Sequence, residues 1–153
     1  MDVRIEKGRP GDAGELITVQ RAAFVGEAQL YGTPFLPPLT ERPEEVFAPG
    51  VAVLVARLGA RLVGSVRGVL SGPTWLVKRL AVAPDLHGRG IGSRLLAAVE
   101  AAAPPAATQL QLDTGARSEP NLRLYRRYGY AEVDRRAISP DVTLVYLRKR
   151  IAG

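Results

Sequence analysis

The sequence predicts an α/β or α+β chain built on a mixed sheet. Three observations carry this. Short runs rich in β-branched residues occur at both ends of the chain and through its middle. Segments with helical periodicity fall between those runs. Three central runs also follow one another across very short turns, the pattern of an antiparallel meander.

Residues 3–6 alternate and read as a strand, closed by the turn-rich stretch Gly8 to Asp12. From Asp12 to Gln29 the residues Leu16, Ile17, Val19, Ala22, Ala23 and Phe24 recur near helical spacing, with Asp12 as the expected N-cap. Prolines 34, 37 and 38 argue against a helix over 31–39. A second short helix is expected from near Thr40 until Pro49-Gly50. Val51 to Leu58, Arg61 to Leu70 and Thr74 to Val82 form the meander, with turns at Gly59-Ala60 and Ser71-Gly72-Pro73.

Ala83 to Gly92 is a loop entering a helix expected to reach Ala103, with Ile91, Leu95, Leu96 and Val99 on one stripe. Pro104-Pro105 stops it. Thr108 to Asp113 is a strand. Pro120 to Tyr128 is a helix with Ser118 as its expected cap and Pro120 in its first turn. Ala131 to Arg135 and Val142 to Arg148 complete the strands.

The 153 residues suit one domain, 1–153, with 46% apolar and 24% charged residues. Cysteine is absent, which excludes disulfides, thiolate nucleophiles and zinc–thiolate sites. The single histidine, His87, is too few for a common histidine metal site, so no metal is expected. No serine sits in a nucleophile-elbow pattern. No segment approaches the roughly 20 apolar residues of a membrane helix, and Met1 to Arg4 lack a signal peptide's apolar stretch. A cytoplasmic protein with no membrane partner is expected.

The net charge is +6, and 18 of the 21 basic residues are arginine, a composition that GC-rich coding explains. A positive field favours an anionic ligand, either a nucleotide cofactor or a nucleic acid. With nine aromatics and no RNA-recognition sheet motif, nucleic acid is the weaker reading.

The strongest motif is the strand–loop–helix unit from Leu76 to Val99. Gly88, Gly90 and Gly92 alternate where the helix begins. Glycine lets backbone approach a ligand closely, and a helix N-terminus offers unpaired N–H groups with partial positive charge. Together they suit a pyrophosphate. A Walker loop is excluded because no lysine follows Gly92. A dinucleotide fingerprint fails because Ser93-Arg94-Leu95 follow in place of a further glycine.

Residues Val82 to Leu96 closely resemble the acetyl-coenzyme A signature of the GNAT superfamily of N-acetyltransferases. The family's arginine or glutamine, two residues, glycine, one residue, glycine or alanine falls on His87, Gly90 and Gly92. His87 departs from the pattern, while a cradle of backbone N–H groups does not depend on it. Asn121 to Tyr130 resemble the family's later helix, with Leu124-Tyr125 followed by Gly129 and an aromatic.

The resemblance implies a mostly antiparallel mixed sheet of about seven strands, flanked by four helices, with splayed central strands. It implies acetyl-coenzyme A as cosubstrate. The pantetheine arm would pair with the backbone of Leu80, Ala81 and Val82. The diphosphate would sit on N–H groups from His87 through Gly88, Arg89, Gly90, Ile91 and Gly92, next to Ser93, with charge added by Arg89 or Arg94. Asn121 would bond either the cofactor or the adjoining loop. Tyr125 would protonate the leaving thiolate.

The family's base is often a glutamate on the pantetheine strand, yet Thr74 to Val82 contain no acid. Asp113, Glu27, Glu45 and a water chain are the candidates. Glu27, Tyr31 and Phe35 are the candidate acceptor residues. The implied activity is direct attack by a primary amine, of a small molecule or peptide, within a ternary complex. A non-catalytic acyl-coenzyme A-binding module is the alternative. A homodimer through sheet edges is the expected assembly.

Overall fold

The structure, a computed structural model, describes residues 2–151. Its strands are β1 (Val3–Lys7), β2 (Val51–Leu58), β3 (Arg61–Ser71), β4 (Thr74–Val82), β5 (Gln109–Gly115), β6 (Ala131–Ala137) and β7 (Thr143–Arg150). The α-helices are α1 (Ala13–Tyr31), α2 (Pro37–Thr40), α3 (Ile91–Ala101) and α4 (Glu119–Arg127). The strands form one seven-stranded sheet in the order β1-β2-β3-β4-β5-β7-β6. The meander β2-β3-β4 is antiparallel as expected, and among the described strands only β4 and β5 run parallel.

Helices cover both faces of the central strands. A Cβ at Gly64 would touch Leu95 of α3, whereas the Arg67 side chain bonds Gln20 of α1. These positions differ by three along β3, and side chains alternate along a strand, so α1 and α3 lie on opposite faces. The predicted stripe Ile91, Leu95, Leu96 and Val99 is buried against the sheet. The Trp75 indole N–H donates to the Val99 carbonyl at 2.8 Å, satisfying the ring's one donor inside that core. Gly68 makes room for this ring, since a Cβ there would lie within the indole.

Three local expectations are corrected. The short second helix occupies Pro37–Thr40 and ends where it was expected to begin. Its prolines lie in the first turn, where no N–H is needed. Asp12 stands at the N-cap of α1 but does not bond that helix. Its carboxylate instead accepts from the Arg9 amide and the buried Arg57 guanidinium. Ser118 likewise makes no side-chain cap to α4, because its hydroxyl donates to Glu27.

A buried polar cluster ties α1 and the segment after α2 to β3. Arg67, 5% exposed, donates to both oxygens of Glu41 at 2.6 and 2.7 Å. Gln20, fully buried, accepts from Arg67 and donates to Glu41 and to the Pro38 carbonyl. Burial acts to raise the Glu41 pKa. The hydrogen bonds from Arg67 and Gln20 and the charges of Arg67 and Arg79 outweigh it and hold the carboxyl at about 2, below its ordinary 4.5.

A depressed acid stabilises the fold above its unfolded pKa and loses that contribution as pH falls through its folded value. Glu41→Gln is therefore expected to be less stable than the parent at pH 7, by up to about 3 kcal/mol. The deficit should shrink steadily between pH 4.5 and 2. Urea unfolding across that range measures it. A deficit independent of pH would show that Glu41 acts through packing alone.

Candidate active site

The parallel pairing of β4 and β5 is brief. Only Thr74, Trp75 and Leu76 pair, with Gln109, Leu110 and Gln111. From Val77 onward β4 has no strand partner on that side, although both strands continue. The sheet therefore splays at its centre, and unpaired backbone groups face the gap.

Two cavities occupy this gap and share Phe24, Glu27 and Leu80. The larger, about 550 Å³, runs beside Leu80, Ala81 and Val82. It passes the glycine loop and runs along α4 past Asn121 and Leu124. The other, about 300 Å³, lies between α1, β4 and β5 and includes Tyr31, Asp113 and Tyr125.

The glycine loop is built to leave its amides free. Gly90 takes φ 81° and Gly88 φ 77°, a left-handed conformation that costs a side chain dearly and glycine little. The first helical bond at this end is Arg94 N–H to the Gly90 carbonyl at 3.1 Å. Among the described residues, the amides of 88 to 93 donate to no protein carbonyl outside the regular elements and to no side chain. His87 departs from expectation. Its amide donates to the Pro84 carbonyl at 3.4 Å, and its ring Nε2 bonds the Val82 carbonyl at 2.9 Å. The ring thus braces the loop against the end of β4. The larger cavity is lined by His87, Gly88, Gly90, Ile91, Gly92 and Ser93 but not by Arg89.

Asn121 donates to Thr114 Oγ1 at 3.2 Å, so it bonds the neighbouring strand while still lining the cavity. Tyr125 is buried on α4, edge-on to Tyr130. Burial, then the charges of Asp113 and Glu27, push its phenol well above the ordinary range, so it stays protonated. Asp113 is exposed and opens onto the cavity. The protein around it raises its carboxyl above the ordinary value, against the opposing pull of Lys78 and Arg79.

Glu27 is held by Ser118 Oγ–H at 2.6 Å. Tyr31 is buried, and its hydroxyl accepts from the Arg117 amide at 2.8 Å. This clamps the end of α1 to the loop after β5. Tyr31 thus lines the cavity as a structural wall. Phe35 does not join it: the ring is 78% exposed and outside the lining. Leu36, Pro37 and Pro38 form that wall instead. Glu45 is also remote, paired with Arg42 at the surface. The residues that sequence reasoning passed over are Lys78 and Arg79. The signal was present, since two adjacent cations interrupt an otherwise apolar strand.

The acetyltransferase (GNAT) domain family profile matches residues 49–132, and the chain belongs to this family. No curated protein sequence matches the chain. The fold is similar to that of an acetyltransferase of the GNAT family from Streptococcus pneumoniae (19% identity, 98% of this chain and 100% of that one, TM-score 0.75). It is also similar to the PaiA N-acetyltransferase from Thermoplasma acidophilum, solved with coenzyme A (17% identity, 99% and 100%, TM-score 0.74). A third similar structure is an aminoglycoside 6'-N-acetyltransferase, also complexed with coenzyme A (17% identity, 98% of each chain, TM-score 0.76).

A Cβ at Gly90 would meet nothing within 4 Å, so the cost of substitution there is conformational. Gly90→Ala is expected to lower unfolding free energy by about 1–2 kcal/mol. Gly90→Asn should lose less, because asparagine tolerates this conformation. Denaturant melts of the three proteins measure the order. Equal stabilities would mean the loop relaxes out of its left-handed turn.

Proposed function

We propose that residues 1–153 act as one catalytic domain that moves an acetyl group from acetyl-coenzyme A to a primary amine. One observation carries this reading: the two cavities meet at Leu80, on the unpaired edge of β4, beside Glu27 and near Tyr125. The unbonded amides of residues 88–93 suit a diphosphate, and the edge of β4 from Leu80 to Val82, where His87 holds only the Val82 carbonyl, suits an amide-bearing arm. The bound thioester supplies an acetyl group already activated for transfer.

The chain's own residues then have defined work. Backbone donors of β4 hold the acyl end at the junction, and positioning is the main catalytic contribution. Asp113 accepts the proton that converts ammonium to amine; its raised pKa makes it a better base than an ordinary carboxylate. As the carbon–nitrogen bond forms and the carbon–sulfur bond breaks, the Tyr125 hydroxyl protonates the departing sulfur. The second proton shed by nitrogen restores Tyr125. With no cysteine in the chain, transfer proceeds without an acyl-cysteine.

Coenzyme A at about 100 times its Kd should stabilise the fold by about 2.7 kcal/mol. An unchanged melt counts against cofactor binding altogether. Tyr125→Phe should lower kcat by about a hundredfold while leaving coenzyme A affinity near that of the parent, as loss of a general acid requires. Thiol release across a panel of amines measures it, and full turnover by this variant removes Tyr125 from the reaction.

A further inference from the structure

The smaller cavity carries charges of both signs, and a bulge in β4 places the positive ones. Arg67 pairs with Lys78, and Ser65 pairs with Ala81. Across that interval β4 holds one residue more than β3, so Arg79 and Leu80 together oppose Val66. Arg79 takes φ 57°, the left-handed region, which is uncommon for a residue other than glycine. Lys78 lies opposite Arg67 on the α1 face, and the Arg79 side chain reaches Glu41 on that same face. Consecutive residues of a regular strand point to opposite faces. Here both Lys78 and Arg79 line one cavity.

Arg79 is incompletely partnered. Its Nε is buried without a hydrogen bond among the described residues. It forms an ion pair with Glu41 at 3.6 Å, too long for a hydrogen bond. Both Glu41 oxygens are already taken by Arg67. A partly buried guanidinium on strained backbone costs stability unless something answers its charge. Neither Lys78 nor Arg79 forms an ion pair with Asp113 or Glu27 among the described residues, although all four line this cavity. Phe24, Leu36, Pro37 and Ile138 leave apolar wall around them. A volume of about 300 Å³ is at the small end for ligand pockets.

We infer that the acceptor is an α-amino acid with an apolar side chain, its carboxylate held by Arg79 and Lys78 and its amino group turned toward Glu27, Asp113 and Tyr125. In such a molecule one carbon separates the two charged groups, which matches cations and carboxylates lining one small cavity. A polyamine would meet two cations with no negative group to answer them. This inference rests on the proposed acetyl transfer for its chemistry but concerns binding at a separate set of residues.

The experiment compares each apolar amino acid with its decarboxylated amine and its amide, reading thiol release with acetyl-coenzyme A. Calorimetric binding of the amino acid to the coenzyme A-saturated protein runs alongside. The parent should favour the amino acid by at least about tenfold in kcat/KM, the scale of a charge-assisted hydrogen-bonded pair. Arg79→Gln should bring that ratio near unity and weaken amino-acid binding by a similar factor. Arg79→Lys should restore part of it. Arg79→Gly relieves the left-handed backbone and gives the same readout if the glutamine variant folds poorly. Equal use of amino acids and plain amines by the parent overturns the inference and leaves acetyl transfer standing. Arg79-dependent binding with no thiol release supports the anchor and removes acetyl transfer. Neither binding nor preference overturns the inference outright.

Discussion

Everything at the centre of this molecule follows from β4 and β5 pairing for three residues and then parting. A backbone N–H or C=O left unpaired inside a protein is costly, so a gap in mid-sheet requires a compensating partner. Here the gap is widened by cavities on both sides of Leu80 and capped by a helix whose first amides are free. The sheet gives up hydrogen bonds at its middle and gains a slot with backbone donors along one wall. The chain belongs to the GNAT family, and two structures of similar fold were solved with coenzyme A.

The open centre needs support from the periphery. On the α1 face polar contacts add to the apolar burial of Leu16, Ile17 and Val19. Gln20, Glu41 and Arg67 bond one another across three separate segments, and Gln20 also holds the Pro38 carbonyl of α2. Such a cluster is demanding, because removing one member strands the charge of another. In return it fixes the proline-bearing wall of the smaller cavity. The Tyr31–Arg117 and Ser118–Glu27 bonds do the same at the other end of α1. The cavity walls are thus pinned at both ends.

Much of this was legible from the residues. The meander, the stripe on α3 and the glycine loop are local patterns, and local patterns survive folding. The splay was not legible from pattern; it entered only through resemblance to a family. The Arg67–Glu41 pair joins residues 26 positions apart, and nothing in the spacing marks them as partners. Phe35 was expected at the acceptor pocket, whereas the chain turns its ring outward and uses Leu36, a choice of face that irregular chain does not encode by periodicity. The resemblance gave the His87 amide to the diphosphate, whereas that amide bonds the Pro84 carbonyl and the ring bonds Val82, a contact between chain segments that no motif spacing marks. The bulge was hidden because a left-handed arginine gives no compositional sign.

That bulge also limits how the chain can vary. Sidedness along a strand is a two-valued property, so an extra residue does not bend it gradually but inverts it for all that follows. Val82, beside Gly92 on the α3 face, holds its place only because the inversion has already happened. Deleting any one residue between Lys78 and Ala81 would return β4 to simple alternation and turn its tail over, with the loop entry out of phase with the helix. Lineages descended from this chain should therefore tolerate exchange of side chains in that short interval far more readily than a change in its length.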